Sequence, residues 1–265
     1  METARTIHAA GIDFHARQVG VRPRALFLHG FGGDLRLWDG VWSALGGELP
    51  ALRYDLRGFG RSHDDSGQAF DHAEDLLAIL DVLGLERCDL VGVSMGGAVA
   101  LNFALDHPGR VRNLILISPG LAAWEWTPAW RALWRPIIAS ARAGAMDEAR
   151  ELWWRHPLFE TTRAGAGGAE LRASIRRYSG AHWVRDNHRQ VLPDIERLHA
   201  LSARTLLLTG ARDVEDFRLI ADVIETSAPD VTRIDWPACG HLINLEDAPG
   251  CAHAILAFLR AAPQD

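Results

Sequence analysis

Short, largely apolar runs recur along this chain at intervals filled by longer amphipathic segments, and that alternation narrows the fold more than any other property. RALFLHG, ALRYDLRG, CDLVGVS, RNLILIS, RTLLLTG and VTRIDWP have strand length, and several of them carry no polar face. Strands apolar on both faces belong in a sheet covered on both sides, the habit of parallel sheets. Between them lie helical candidates: DHAEDLLAILDVLG with Gly84 as its stop signal, the run after Ser94, FRLIADVIETSAP, and APGCAHAILAFLRAA. Strand alternating with helix predicts an α/β architecture with a mostly parallel, doubly wound sheet, and TIHAAGIDFHARQV predicts an antiparallel hairpin at its start.

The alternation stops between about Leu121 and Leu192. Helical sequence dense in tryptophan takes its place: Trp124, Trp126, Trp130, Trp134, Trp153, Trp154 and Trp183, seven of the ten in the chain. Strand pattern returns at RTLLLTG. The organisation expected is therefore one core domain built from residues 1–120 and 193–265, interrupted by a helical cap insertion at 121–192. Within the insertion, TTRAGAGGAE reads as a flexible loop by composition. The tryptophans have an ordinary role open to them, which is to supply the core of a small helical layer.

Charge and cysteine content exclude several functions. The 28 basic and 34 acidic residues leave a net charge of −6, and no block of like charge offers a footprint for nucleic acid or an anionic membrane. The N-terminal twenty residues lack a signal-peptide core, and no run reaches the roughly 18 apolar residues of a membrane span. A soluble, cytoplasmic protein without a membrane or nucleic-acid partner is expected, with its oligomeric state open. Cys88, Cys239 and Cys251 have no paired spacing, so buried thiols are expected rather than disulfides or a zinc site.

Chemistry enters at Gly92-Val93-Ser94-Met95-Gly96. A G-x-S-x-G has mechanical meaning where it joins a strand to a helix, because glycines on either side let the backbone turn tightly and raise the serine hydroxyl above the sheet. The helix that follows aims its N-terminal N–H groups at the same place. A serine hydroxyl is a weak nucleophile and requires a base and an orienting acid, which should follow in the order acid, then histidine, after later strands. Asp213 follows TLLLTGAR, and His241 follows VTRIDWP. Asp216 competes with Asp213 as the acid, but it is also well placed to cap a helix beginning at Phe217. Among twelve histidines, His8, His63, His72, His107, His156, His199 and His253 are read as ordinary surface residues.

With these motifs in place, the chain resembles the α/β-hydrolase fold family over nearly its whole length, as an esterase-like member with a serine nucleophile and a helical cap. LFLHGFGGD (26–34) is similar to the family's oxyanion loop, YDLRGFGRS (54–62) to its Asp-x-Arg-Gly-x-Gly-x-Ser signature, and HPGRVRNLILISP and GCAHAILAFL to further family segments. The resemblance implies oxyanion donors at the backbone N–H of Phe31 and Met95. It makes His29, Asp55, Arg57 and Ser62 structural, and it implies no metal or organic cofactor. ARDVEDF departs from the proline-containing stretch that many members carry after the acid. Family dehalogenases and epoxide hydrolases use an aspartate at the elbow, so Ser94 argues against both.

Hydrolysis of small to medium apolar carboxylic esters through an acyl-enzyme is the function expected. Enol-lactonase, thioesterase and C–C bond hydrolase activities of the same fold are alternatives, as is a non-catalytic receptor. C–C hydrolases resemble one another in GNSMGG at the elbow, where Val93 differs. In the cap, YSGAHWVRDNH supplies Tyr178, His182 and Trp183 as candidate substrate-binding residues, with Tyr178 and His182 on one face if the stretch is helical.

Overall fold

The computed structural model describes residues 2–261. Strands β1 (Glu2–Ala9) and β2 (Ile12–Val19) form the antiparallel hairpin. Its two-residue turn, Ala10-Gly11, has positive φ at both positions, as a hairpin turn matched to strand twist requires. After β3 (Ala25–Leu28) come α1 (Asp39–Leu45), β4 (Ala51–Tyr54), α2 (His72–Val82), β5 (Cys88–Val93), α3 (Met95–Asp106) and β6 (Val111–Ile117). The cap follows as α4 (Pro128–Arg142), α5 (Met146–Trp154), α6 (Glu160–Ala164), α7 (Gly168–Arg177) and α8 (Ala181–Val184). The chain then returns through β7 (Arg204–Gly210), α9 (Glu215–Ser227), β8 (Val231–Trp236), α10 (Ile243–Glu246) and α11 (Ala248–Arg260).

All eight strands form one sheet in the order β1-β2-β4-β3-β5-β6-β7-β8, parallel from β4 onward. Every residue of β3, β4 and β5 is buried, whereas no residue of the edge strand β8 is fully buried. α1 packs against α11, and α2 against α3. The order 4-3-5 means that the chain leaves β3 toward one side of the sheet and later passes to the other. The crevice at such a switch point, beyond the carboxyl ends of β3 and β5, is where open α/β sheets bind ligands. Among the described residues no helix is long and apolar enough to cross a membrane.

Two local expectations change, and one helix was not anticipated. α1 is not visible in the periodicity of DGVWSAL, and its formation rests on packing with α11. α9 starts at Glu215, before Phe217. TTRAGAGGAE is mostly helical, in α6 and the start of α7. Its glycines serve close approach, since a Cβ at Gly167 would lie 2.8 Å from the Leu245 side chain. The three cysteines are free and buried, and burial pushes the Cys88 thiol up to about 12 and that of Cys239 to about 11. Thiols held protonated in this way are poor nucleophiles.

Candidate active site

Ser94 sits between β5 and α3 with φ 54° and ψ −116°, a conformation that L-residues rarely adopt. A Cβ at Gly92 would overlap the carbonyl of Gly96, and one at Gly96 would overlap that of Leu28. Only glycine fits at either place. The turn is also pinned by hydrogen bonds: Ser94 N donates to Ile117 O at 2.9 Å, while Ser94 O accepts from Gly120 N at 3.1 Å and Ala98 N at 3.0 Å. Such over-determination is what holds a strained residue, at a cost of roughly 1–3 kcal/mol.

The loop after β3 lies beside the serine. A Cβ at Gly30 would stand 3.4 Å from Ser94 Cβ. His29 is fully buried and shapes this loop from within, its Nδ1 donating to Gly30 O at 2.9 Å and its Nε2 accepting from Leu56 N at 3.0 Å. Burial lowers its pKa and favours the neutral ring that this pairing needs. Gly33 N closes the turn onto Gly30 O, and Gly32 takes a positive φ of 72°. Phe31 and Met95 both border the cavity above Ser94. Met95 is the first residue of α3, so its N–H has no acceptor within the helix and lies at the positive end of the helix dipole.

The neighbouring signature residues tie loops together. Asp55 accepts from Leu35 N and Arg61 N, each at 2.8 Å. Arg57 grips Asp75 through two bonds of 2.6 and 2.8 Å, and Ser62 Oγ accepts from His15 N at 3.0 Å.

On the other side of the crevice, His241 is 1% exposed, and its Nδ1 stands 2.8 Å from Asp213 Oδ2. Asp213 Oδ1 accepts from Val214 N at 2.7 Å. The carboxylate therefore holds the imidazole proton on Nδ1, leaving Nε2 as a lone-pair site. Nε2 is buried and has no hydrogen-bond partner among the described residues. The Phe217 ring lies 4.2 Å from the imidazole and covers it. Ser94 and His241 open onto the same cavity.

Asp216 is spent elsewhere. Its carboxylate accepts from Trp124 Nε1 at 3.0 Å, Thr127 N at 3.1 Å and Thr127 Oγ1 at 2.7 Å, which fastens the start of the cap to α9. It does not cap α9 as expected, because the helix begins one residue before it.

The cavity measures about 910 Å³, within the range of small-molecule sites, and Trp124, Trp126, Trp130, Trp134, Trp153 and Trp183 line it. Most of the cap tryptophans thus serve a wall as well as a core. Of the three cap candidates, His182 and Trp183 line the cavity. Tyr178 does not; it packs behind, its ring 5.6 Å from Phe31 and 4.9 Å from Trp183. The stretch is not helical at Tyr178, which is extended after α7, and Gly180 turns the chain with φ 80° before α8. Tyr178 and His182 still meet, Oη to Nδ1 at 3.3 Å, through that turn. His182 stacks on Phe59 at 4.1 Å.

Two histidines read as surface residues are buried. His72 borders the cavity, and His156 lies among Trp130, Trp153 and Phe159. Phe217 is a site residue without a motif of its own, although it falls within four positions of Asp213 on the helix that follows it.

Comparison with known proteins places the fold. The model of the alpha/beta hydrolase fold family matches residues 23–248. A 2-hydroxymuconate semialdehyde hydrolase from Pseudomonas sp. (strain CF600) is 30% identical, over 98% of this chain and 95% of its own. A Bacillus subtilis carboxylesterase superimposes with a TM-score of 0.84 at 19% identity, covering 99% of this chain and 93% of that one. A thermophilic esterase from Thermogutta terrifontis does so with a TM-score of 0.79 at 25% identity, covering 97% and 98%. The chain belongs to the α/β-hydrolase fold family.

Proposed function

We propose that this hydrolase cleaves carboxylic esters of small to medium, apolar acyl or alcohol groups through an acyl-enzyme on Ser94. The observation that carries the reading is the state of His241: Nδ1 held by Asp213, Nε2 buried and unpartnered, and the ring facing the cavity that holds a strained Ser94. Ser94 Oγ attacks the ester carbonyl while His241 Nε2 takes its proton. The oxyanion that forms is met by the N–H groups of Phe31 and Met95, and Asp213 stabilises the imidazolium. His241 then protonates the departing alcohol, and a water deprotonated by the same nitrogen releases the acid. The tryptophan-lined cavity suits an apolar chain or ring.

A second reading has one specific support. A relative matched over 95% of its length is named for 2-hydroxymuconate semialdehyde, a compound without an ester, whose hydrolysis must break a carbon–carbon bond. Val93 at the elbow pulls the other way. A panel of p-nitrophenyl esters, lactones, thioesters and 2-hydroxy-6-oxo-dienoates separates the two. The ester reading requires turnover of the esters above the dienoates, and the reverse ranking replaces it. A receptor would turn over neither class and would leave Ser94 unlabelled by a fluorophosphonate.

A further inference from the structure

The first cap helix presents an unusual face to the cavity mouth. Arg131, Arg135, Ile138 and Arg142 follow one another at i, i+4, i+7 and i+11 on α4, and all four border the cavity. Arg189, on the segment returning from α8, borders it too. These four arginines are exposed, and among the described residues their side chains meet no carboxylate or other hydrogen-bond partner. Several arginines elsewhere are tied down, Arg57 to Asp75, Arg53 to Glu2 and Asp39, Arg233 to Asp222, Glu225 and Asp235, and what sets the four apart from other unpaired arginines such as Arg218 is that they border one cavity.

The sequence of α4, PAWRALWRPIIASAR, contains no acidic residue, so nothing offsets the like charges at Arg131 and Arg135. Two carboxylates do border the cavity. Asp71 Oδ1 is used in capping α2, through Ala73 N, and Asp186 Oδ1 accepts from His188 N. Four guanidiniums against two engaged carboxylates make the mouth cationic in a chain whose net charge is −6. An ordinary solvated helix face would carry interspersed signs and would not converge on the entrance of an aromatic cavity.

We infer that this rim recognises an anion, and that the preferred ester carries a carboxylate at the end remote from the scissile bond. The apolar body would lie against the tryptophans, with its ester at Ser94 and its charged end among Arg131, Arg135, Arg142 and Arg189. A guanidinium suits a carboxylate through paired N–H donors. The substrate class rests on the hydrolytic reading above, while recognition of the anion does not. Because the charged end is remote from the reacting carbonyl, its contacts are equal in ground and transition states, and they act on KM rather than kcat.

Mono-p-nitrophenyl suberate and its ω-methyl ester form the test pair, since they differ in one charge at nearly equal shape. The expected kcat/KM for the acid exceeds that for the methyl ester by roughly three- to tenfold at low ionic strength, carried by KM. Added salt should shrink the ratio, as exposed charges are screened. The double variant Arg131→Gln/Arg135→Gln should bring the ratio close to one, and Arg218→Gln, an exposed arginine away from the cavity, should leave it intact. Binding of the same two esters to the Ser94→Ala protein, read by quenching of the cavity tryptophans, repeats the comparison without turnover. If neither ester is hydrolysed but the acid still binds more tightly, the hydrolytic reading fails and the anion site stands. A ratio of one or less in the unaltered protein, by rate and by binding, or a ratio untouched by the double variant, overturns it.

Discussion

Thr127 Oγ1 donates to Asp216 Oδ2 across 2.7 Å, joining the first residues of the cap to the helix that begins just after Asp213. Asp213, three residues earlier, bonds to His241 instead. The two carboxylates therefore have different work, and substitution should separate them. Asp213→Asn should lower ester turnover by roughly 10⁴-fold, by allowing the wrong histidine tautomer, with little change in melting. Asp216→Asn should lower the melting temperature, since hydrogen bonds to a charged group contribute about 1.5–3 kcal/mol each, and cost turnover far less. Steady-state rates and thermal melts on both variants check this, and the reverse ranking would move the acid to Asp216.

His156 predicts how stability responds to acid. Burial, and next the charge of nearby His241, lower its pKa from 6.5 to about 4, and its Nε2 has no hydrogen-bond partner among the described residues. An unfolded chain binds a proton near pH 6.5 that the folded chain refuses until about pH 4. Stability is therefore fully present above the higher value and is lost as pH falls through the window between them, by up to about 3 kcal/mol. His29 and His72, also buried and shifted downward, act in the same direction. Melting curves from pH 7 to pH 4.5 should show this loss. In His156→Asn, which keeps an acceptor for Leu158 N, the slope should become shallower. An unchanged slope would remove His156 from the cause.

The sheet and the elbow were legible because both are local signals: an apolar run marks a buried strand, and G-x-S-x-G marks a turn whose neighbours leave no room for a Cβ. The pairing of Asp213 with His241 was legible from their places after β7 and β8. What escaped depends on contacts far apart in the chain. Asp216 looked like a helix cap because its partners, Trp124 and Thr127, lie 92 and 89 residues away. His72 and His156 looked superficial because the rings that bury them, Phe59 and His188 for His72, Trp130 and Trp153 for His156, are not marked by any local pattern around them. The meeting of Tyr178 with His182 was anticipated for the wrong reason, since a glycine turn and not a helical face brings them together.

The cap residues should divide by position. His182 and Trp183 border the cavity while Tyr178 stands behind it, so His182→Ala and Trp183→Ala should alter the ranking of a p-nitrophenyl ester chain-length series. Tyr178→Phe should leave that ranking as it is, because the ring is kept and only the hydroxyl facing His182 is lost. Trp183→Ala should also melt earlier, by an amount in keeping with about 3–5 kcal/mol for removal of a buried large aromatic. A preserved ranking in both alanine variants would make these residues packing alone.

The most direct measurement concerns Ser94 itself. Treatment with a fluorophosphonate, followed by peptide mass spectrometry, should show one covalent adduct on Ser94 that forms with loss of esterase activity at a matching rate. The adduct should be absent from Ser94→Ala and greatly slowed in His241→Ala. Each of these variants should remain folded and lose ester hydrolysis by up to about 10⁶-fold, because nucleophile and base act as a unit. No adduct on Ser94, or a Ser94→Ala protein that keeps more than a few percent of the rate, would contradict the assignment and leave the elbow as a strained turn without a catalytic part.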